Sequence, residues 1–284
     1  MTNMRLRYRR IGVIGEGASG KVYRAVLENT GQLVAVKIVR RHGTWISSIG
    51  EESIQPSLDH PHILSSFHTQ GWDTPRVEIF TELMEGSLAE LVESLDIHCM
   101  LLATDVLYQM LQALYYLAGL GYVHRDVKPQ NIFYTTRSRR PSSAIIGSPQ
   151  TPPYHFRLGD FGLCVREDDD DTWSIQGTVM YLPPEVFDNA GSVACGRPQS
   201  HKSDVWALYV SILWVLDVGG LRAAAKTGVS MSALMPGFLA APRVDGRVAM
   251  LGGMARRDPW KRATAGEVLA RCFEEEEVAW EGEQ

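Results

Sequence analysis

The chain of 284 residues is long enough for one large domain or two lobes around a core of its own. Apolar residues at 45% and charged residues at 21% are the balance of a soluble globular protein, and a net charge of -5 argues against bulk nucleic-acid binding. Four scattered cysteines (Cys99, Cys164, Cys195 and Cys272) with no CxxC pair argue against a disulfide framework or zinc site and suit free thiols in a reducing compartment.

Charge is unevenly spread. Basic residues predominate from Arg5 to Arg41, while Glu274 to Glu283 holds no lysine or arginine, and such runs read as solvated faces or tails. The opening Met-Thr-Asn-Met-Arg-Leu-Arg has no apolar signal segment, and the longest apolar run, Val205 to Leu216, is too short to span a bilayer. The expectation is an intracellular protein of cytoplasm or nucleus, with neither membrane nor nucleic acid among its partners.

Tyr8 to Val39 reads as three strands. Ile11, Val13 and Gly15 alternate, Lys21 to Glu28 and Leu33 to Val39 follow, and Asn29-Thr30-Gly31 forms the last turn. The glycines of Gly15-Glu-Gly17-Ala-Ser-Gly20-Lys-Val22 let backbone N–H groups approach an anion, because no Cβ intervenes. A dinucleotide fold would follow such glycines with a helix. Here Val22-Tyr-Arg-Ala-Val alternates like a strand, which favours a strand–loop–strand flap over phosphates. Ala35 and Lys37 share one strand face, so a flat base can lie against the small residue while the ammonium meets its phosphates.

Thr44 to Leu58 reads as a short helix carrying Glu51 and Glu52, and Val77 to Leu83 as a strand. Ser87 and Glu90 make a capping box at the start of a helix. Ala103 to Gly121 is the clearest amphipathic helix, with Val106, Leu107, Met110, Leu111, Leu114 and Leu117 as its core stripe. Directly after it, Tyr122 to Phe133 packs an acid (Asp126), two cations (Arg125 and Lys128), an amide (Asn131) and a rigid proline (Pro129) between apolar pairs. A simple turn would favour Gly, Ser and Asn; these groups suit accepting a proton, holding a phosphate and ligating a divalent metal.

Tyr134 to Arg157 breaks the pattern with arginines, prolines, serines and threonines, and reads as a long inserted loop. Its Ser148-Pro149 and Thr151-Pro152 pairs leave two readings open, a regulatory or docking loop and a tolerated insertion. Strand and turn return at Phe156 to Gly162. The acidic run Asp168 to Asp171 leads to Thr172, Thr178 and Pro183-Pro184-Glu185. Val205 to Leu216 is expected to be a central buried helix, and a second capping box, Thr264 with Glu267, opens the last one.

The ordered set Gly15-x-Gly17-x-x-Gly20-x-Val22, Val34-Ala-Val-Lys37, His124-Arg-Asp126-x-Lys128-x-x-Asn131, Asp160-Phe-Gly162 and Pro183-Pro-Glu185 resembles the eukaryotic protein kinases, serine/threonine branch, over roughly Tyr8 to Phe273. The resemblance implies an α+β, two-lobed fold. Residues 1–84 would form a small β-rich lobe, and residues 85–284 a larger, mainly helical one with insertion 134–157, activation segment 160–185 and the acidic tail. It implies an enzyme moving the γ-phosphoryl group of ATP to protein hydroxyls with Mg2+. Asp126 would be the catalytic base and Lys128 would neutralise the transferred group. Asn131 and Asp160 would hold the metal. Lys37 would contact the α- and β-phosphates and pair with Glu51, or with Glu52 in its place.

Gly15, Gly17 and Gly20 would cover the phosphates, and Val22, Ala35 and Phe133 would sandwich the adenine. The Glu82 carbonyl and Met84 N–H would bind the base edge, beside Thr81 as a small gatekeeper. Thr172 resembles an activation-loop phosphosite whose phosphate pairs with Arg125, making an upstream kinase or regulatory partner an expected class of partner beside protein substrates. Asp204 would anchor the catalytic loop, and Arg262 would pair with Glu185. Departures from the family pattern are Gln55 at a normally apolar position, Pro56 after it, the long insertion, Pro183, and Ala207 with Tyr209 in the central helix. A kinase-shaped scaffold that acts through binding is the rival reading.

Overall fold

A computed structural model describes residues 5–17, 20–40, 54–95, 100–136, 154–169, 172, 174–187 and 199–273. Its first part is a five-stranded antiparallel sheet of order β1-β2-β3-β5-β4. The strands are β1 (Tyr8–Gly17), β2 (Gly20–Leu27), β3 (Leu33–Arg40), β4 (Ser66–Gln70) and β5 (Arg76–Glu82). Alternation along β2, β3 and β5 sends Ala25, Leu27, Val34, Val36 and Phe80 into one buried cluster, leaving Ala35 and Lys37 to the opposite face. Strand β4 was not legible beforehand. Ser-Phe-His-Thr-Gln has no apolar alternation, and it becomes a strand by pairing with β5.

The rest is mainly helical. After the two-residue strand β6 (Gly86–Ser87), α1 (Leu88–Leu95) opens on the expected capping box, with the Ser87 N–H donating to Glu90 Oε2 at 2.7 Å. Helix α2 spans Met100–Gly119, starting three residues before the expected point, and its apolar stripe is fully buried. Strand β7 (Tyr122–Val123) pairs with β10 (Val165–Arg166), and β8 (Ile132–Thr136) pairs with β9 (Tyr154–Leu158). Helices α3 (His201–Val215), α4 (Leu221–Thr227), α5 (Met231–Val244) and α6 (Ala265–Phe273) complete it. No single described helix is long and apolar enough to cross a membrane.

Three expectations need correction. The inserted segment 134–157 is strand at both ends, because Tyr134 pairs with Phe156 and Thr136 with Tyr154; residues 137–153 lie outside the described residues. Most of the expected helix Thr44 to Leu58, with Glu51 and Glu52, also lies outside them. Its described end is a 3₁₀ turn, Gln55–Ser57, in which Pro56 sits in the first turn, where its missing N–H costs no hydrogen bond. Finally, α3 begins at His201 and not Val205, because a reciprocal pair of Ser200 and Ser203 caps it before the apolar run starts.

One large core joins α1, α2, α3, α5 and α6 to β9. In it Tyr209 fills the space beside α5 and donates its hydroxyl to the Phe238 carbonyl at 2.6 Å. Arg262 reaches through this core to Glu185. Two charge-assisted bonds of 2.8 and 2.6 Å form a bidentate pair, with the guanidinium fully buried and 5.2 Å from the Trp206 ring centre. Removing one partner strands a buried charge, so Arg262→Ala is expected to lower unfolding free energy by about 3–5 kcal/mol in urea titration. A loss below about 1 kcal/mol would mean the pair behaves as a surface ion pair.

Candidate active site

The loop between β7 and β8 is held from below by one buried carboxylate. Asp204, in the first turn of α3, accepts the His124 N–H at 2.7 Å and the Arg125 N–H at 2.9 Å. Arg125 has φ 68°, a left-handed conformation that a non-glycine residue keeps only when its surroundings impose it. Both oxygens of Asp204 impose it here. Burial holds the His124 imidazole below its usual pKa, hence neutral; its Nδ1 faces the Asp126 N–H at 3.3 Å, so Nε2 donates to the Gly159 carbonyl at 3.1 Å.

Above this anchor the polar side chains converge. Asp126 Oδ2 accepts from Lys128 Nζ at 2.6 Å and from Asn131 Nδ2 at 2.9 Å. Asp126 Oδ1 accepts from the Thr178 hydroxyl at 2.8 Å and the Thr178 N–H at 3.0 Å. The Thr178 hydroxyl in turn accepts from Lys128 at 2.7 Å. A hydroxyl therefore already sits between a carboxylate that takes its proton's hydrogen bond and an ammonium that faces its oxygen. Asn131 ties to the next strand as well, its carbonyl accepting the Gly159 N–H at 2.9 Å.

Gly159 leads into Asp160, which has φ 60°, the second strained non-glycine backbone of the site. A Cβ at Gly159 would lie 2.8 Å from the Phe133 ring, so only glycine lets β9 run this close to Phe133. Lys37 Nζ crosses from β3 to meet Asp160 Oδ1 at 2.8 Å. Its expected partners Glu51 and Glu52 lie outside the described residues. Val22 stands opposite Lys37 in the β2–β3 register, and Ala35, buried, lies two residues before it. Gly15 pairs with Val22 and Gly17 with Gly20 in the β1–β2 hairpin. Gly20 has φ 140°, and a Cβ there would come 2.4 Å from the Ile38 carbonyl, so this glycine is obligatory. At the end of β5 the Thr81 hydroxyl donates to the Glu82 carbonyl at 3.1 Å, and the Glu82 side chain pairs with Arg157; Met84 follows in the connector to β6.

Comparison with known proteins agrees with this geometry. A family model described as the protein kinase domain matches residues 8–223. The serine/threonine-protein kinase SSK22 of Saccharomyces cerevisiae is 30% identical over 232 residues, covering 75% of this chain and 16% of its own length. An Aurora kinase of Yarrowia lipolytica is 27% identical over 267 residues, covering 88% and 63%, and the mouse mitogen-activated protein kinase kinase kinase 4 is 30% identical over 289 residues, covering 94% and 16%. This chain belongs to the protein kinase family, on its serine/threonine branch. It spans between about a sixth and two thirds of the length of these relatives.

Within the kinase domain, residues 160–185 place two neighbouring hydroxyls differently. Thr172 is buried, and its hydroxyl donates to the Asp169 carbonyl at 2.7 Å. Among the described residues, no hydrogen bond joins it to Arg125. The Arg125 guanidinium instead donates to the Leu163 carbonyl at 2.6 Å and reaches the exposed Ser174 hydroxyl at 3.4 Å. Two hydroxyls two residues apart carry no signal in a single sequence as to which one meets the arginine. Gly177, with φ 114°, was also missed. A Cβ there would fall 2.3 Å from the Arg125 carbonyl, so the segment touches the loop between β7 and β8 backbone to backbone.

Gln55 has an explanation the sequence lacked. It is buried yet satisfied, donating to the Leu64 carbonyl at 2.7 Å, and Leu64 N–H bonds to Leu158, the last residue of β9. The amide thus ties the turn at residues 55–57 to the strand that leads to Asp160, where an apolar side chain would only pack.

Burial pushes Asp204 up to about 7, against two backbone N–H bonds that pull it down. Its folded pKa lies above its unfolded value, so its contribution to stability is present at acid pH and is lost as pH rises through about 7. In urea titrations the stability difference between the native kinase and Asp204→Asn is expected to shift against the native chain between about pH 4 and pH 7. Asp204→Ala should cost more than Asn at every pH, because two buried N–H groups lose their acceptor at roughly 1–3 kcal/mol each.

Proposed function

We propose that this kinase domain transfers the γ-phosphoryl group of ATP to serine or threonine hydroxyls of proteins. The observation that carries the reading is the convergence of Asp126 and Lys128 on one hydroxyl, that of Thr178, with Asn131 bonded to Asp126 and Lys37 brought across to Asp160. A substrate hydroxyl taking the place of Thr178's would donate to Asp126 Oδ1, which orients its oxygen and accepts its proton. Lys128, on the same oxygen, would steady the negative charge that gathers on the transferred group. Phosphoryl transfer asks mainly for such positioning and charge stabilisation.

The residues present fit Mg2+. Asn131 turns its amide nitrogen to Asp126, which leaves its oxygen as donor, and Asp160 adds a carboxylate, an oxygen-only set that suits a hard cation completing its shell with phosphates and water. When bound, the metal would neutralise and orient phosphate oxygens. Lys37 would move from Asp160 toward the α- and β-phosphates, and the Gly15–Gly20 hairpin would lie over them. Val22, Ala35 and Phe133 supply the apolar walls of a base site, with the Glu82 carbonyl and Met84 N–H at its edge. The carboxylate–ammonium pair around a hydroxyl supports catalysis over the rival reading, though in this chain it also holds Thr178 in place.

Purified protein and Asp126→Asn, incubated with labelled ATP, Mg2+ and a degenerate peptide library, decide between the two. Labelling by the native chain, with a fall of about 10²–10⁴ in the variant, is expected. Folded protein that labels nothing would leave the scaffold reading standing.

Regulation is proposed to act at Ser174, since a phosphate there would stand against Arg125, the residue whose backbone Asp204 fixes. Ser174→Ala is expected to lower activity after treatment with an upstream kinase while leaving the melting temperature unchanged. Thr172→Ala, which loses a buried hydrogen bond worth about 1 kcal/mol, is expected to lower the melting temperature instead. The reverse pattern would return the regulatory role to Thr172.

A further inference from the structure

Far from the catalytic loop, the chain's first described residues form a basic groove. Leu6 crosses to the far edge of the sheet, where Gln70 of β4 accepts its N–H at 2.8 Å and donates to its carbonyl at 3.3 Å. Tyr8 packs edge-on against Phe80 with ring centres 5.3 Å apart, and its hydroxyl donates to Glu78 at 2.9 Å. These tethers leave Arg5, Arg7, Arg9 and Arg10 exposed around an open groove of about 780 Å³, which Glu28 and Glu78 also line. Glu78 is already committed, accepting from Tyr8 and, at 2.6 Å, from Gln70. Arg10 lies over the Tyr23 ring at 4.8 Å. Among the described residues, no carboxylate forms an ion pair with Arg5, Arg7 or Arg9.

Charge decides what kind of ligand fits. Four arginines against two glutamates give the groove +2, so the remainder of a chain of net charge -5 carries -7. A broad polyanion, such as a nucleic acid or an anionic membrane, would meet that negative remainder as well as the groove. A narrow acidic ligand meets four arginines and, of negative groups, only Glu28 and the already committed Glu78. We infer that the groove is a docking site for an extended glutamate- and aspartate-rich segment of a protein partner. Guanidinium forks suit carboxylates, and Gln70 and Tyr8 hold the strand that carries the arginines, so little ordering remains to be done on binding. The catalytic loop is not involved, and the site stands whether or not the chain phosphorylates anything.

Fluorescence anisotropy of the full chain with a fluorescein-labelled polyglutamate peptide, against its polyglutamine counterpart, tests this. Binding of the polyglutamate peptide alone is expected, weakening steeply with salt. The combined Arg5→Glu, Arg7→Glu and Arg9→Glu variant should bind at least about tenfold more weakly. Arg5→Lys, Arg7→Lys and Arg9→Lys together should bind between the native chain and the charge-reversed variant, keeping the charge but losing the fork, with melting temperatures unchanged in both variants. Equal binding of the two peptides, or undiminished binding by the charge-reversed variant, would overturn the inference. So would phosphatidylserine vesicles or single-stranded RNA held more tightly through the same arginines. An affinity that rises when residues 274–284 are removed would also overturn it, assigning the groove to the chain's own acidic end.

Discussion

One buried carboxylate sets the geometry on which the site depends. Asp204 occupies the first turn of α3, where the helix supplies no partner for its oxygens, and the two N–H groups of His124 and Arg125 take them up. That arrangement holds Arg125 at positive φ, and from Arg125 the rest follows. Its backbone turn aims Asp126 at Lys128 and Asn131. Its carbonyl lies so close to residue 177 that only glycine fits, and its side chain extends to the activation segment through Leu163 and Ser174. A left-handed non-glycine residue costs on the order of 1 kcal/mol or more, and the buried acceptor offsets that cost.

The second strained residue, Asp160, marks the other half of the site. It follows the glycine that lets β9 run against Phe133, and its carboxylate faces Lys37 from the sheet. The two halves are joined below by the Asn131 carbonyl on Gly159 N–H and the His124 ring on the Gly159 carbonyl. One short stretch of backbone, residues 159 and 160, is therefore gripped from the loop between β7 and β8 on one side and from β3 on the other. Gln55 adds a grip from behind through Leu64 and Leu158. A position that breaks the family's apolar pattern proves to be a polar tie with its hydrogen bond made, which is how a buried amide avoids the penalty of desolvation.

Strand and helix positions with strong periodicity were legible from the sequence: the β2 and β3 alternation, the α2 stripe, and the two capping boxes at Ser87 and Thr264. Elements that exist through pairing were not. Strand β4 is polar and borrows its conformation from β5, while β8 and β9 extend into a stretch whose arginines and prolines read as loop. Propensity reports what a segment does alone; a ladder of backbone hydrogen bonds to a neighbour can overrule it. The start of α3 moved for the same kind of reason, because two serines closed a cap that apolar counting overlooked.

By itself the sequence determined the set of chemical groups: an acid, an ammonium, an amide and a second acid in a fixed order, with glycines and a strand lysine before them. It did so because each motif is local, and residue type and spacing survive without coordinates. Only the tertiary structure decided which of those groups meet. It turned Arg125 to Ser174 and buried Thr172 in its own turn, choices that depend on how the activation segment packs against a loop 50 residues earlier in the chain. It also showed that Lys37 reaches Asp160, a separation of 123 residues. Such pairings are settled by burial and hydrogen-bond satisfaction across the whole core, and no spacing rule along the chain encodes them.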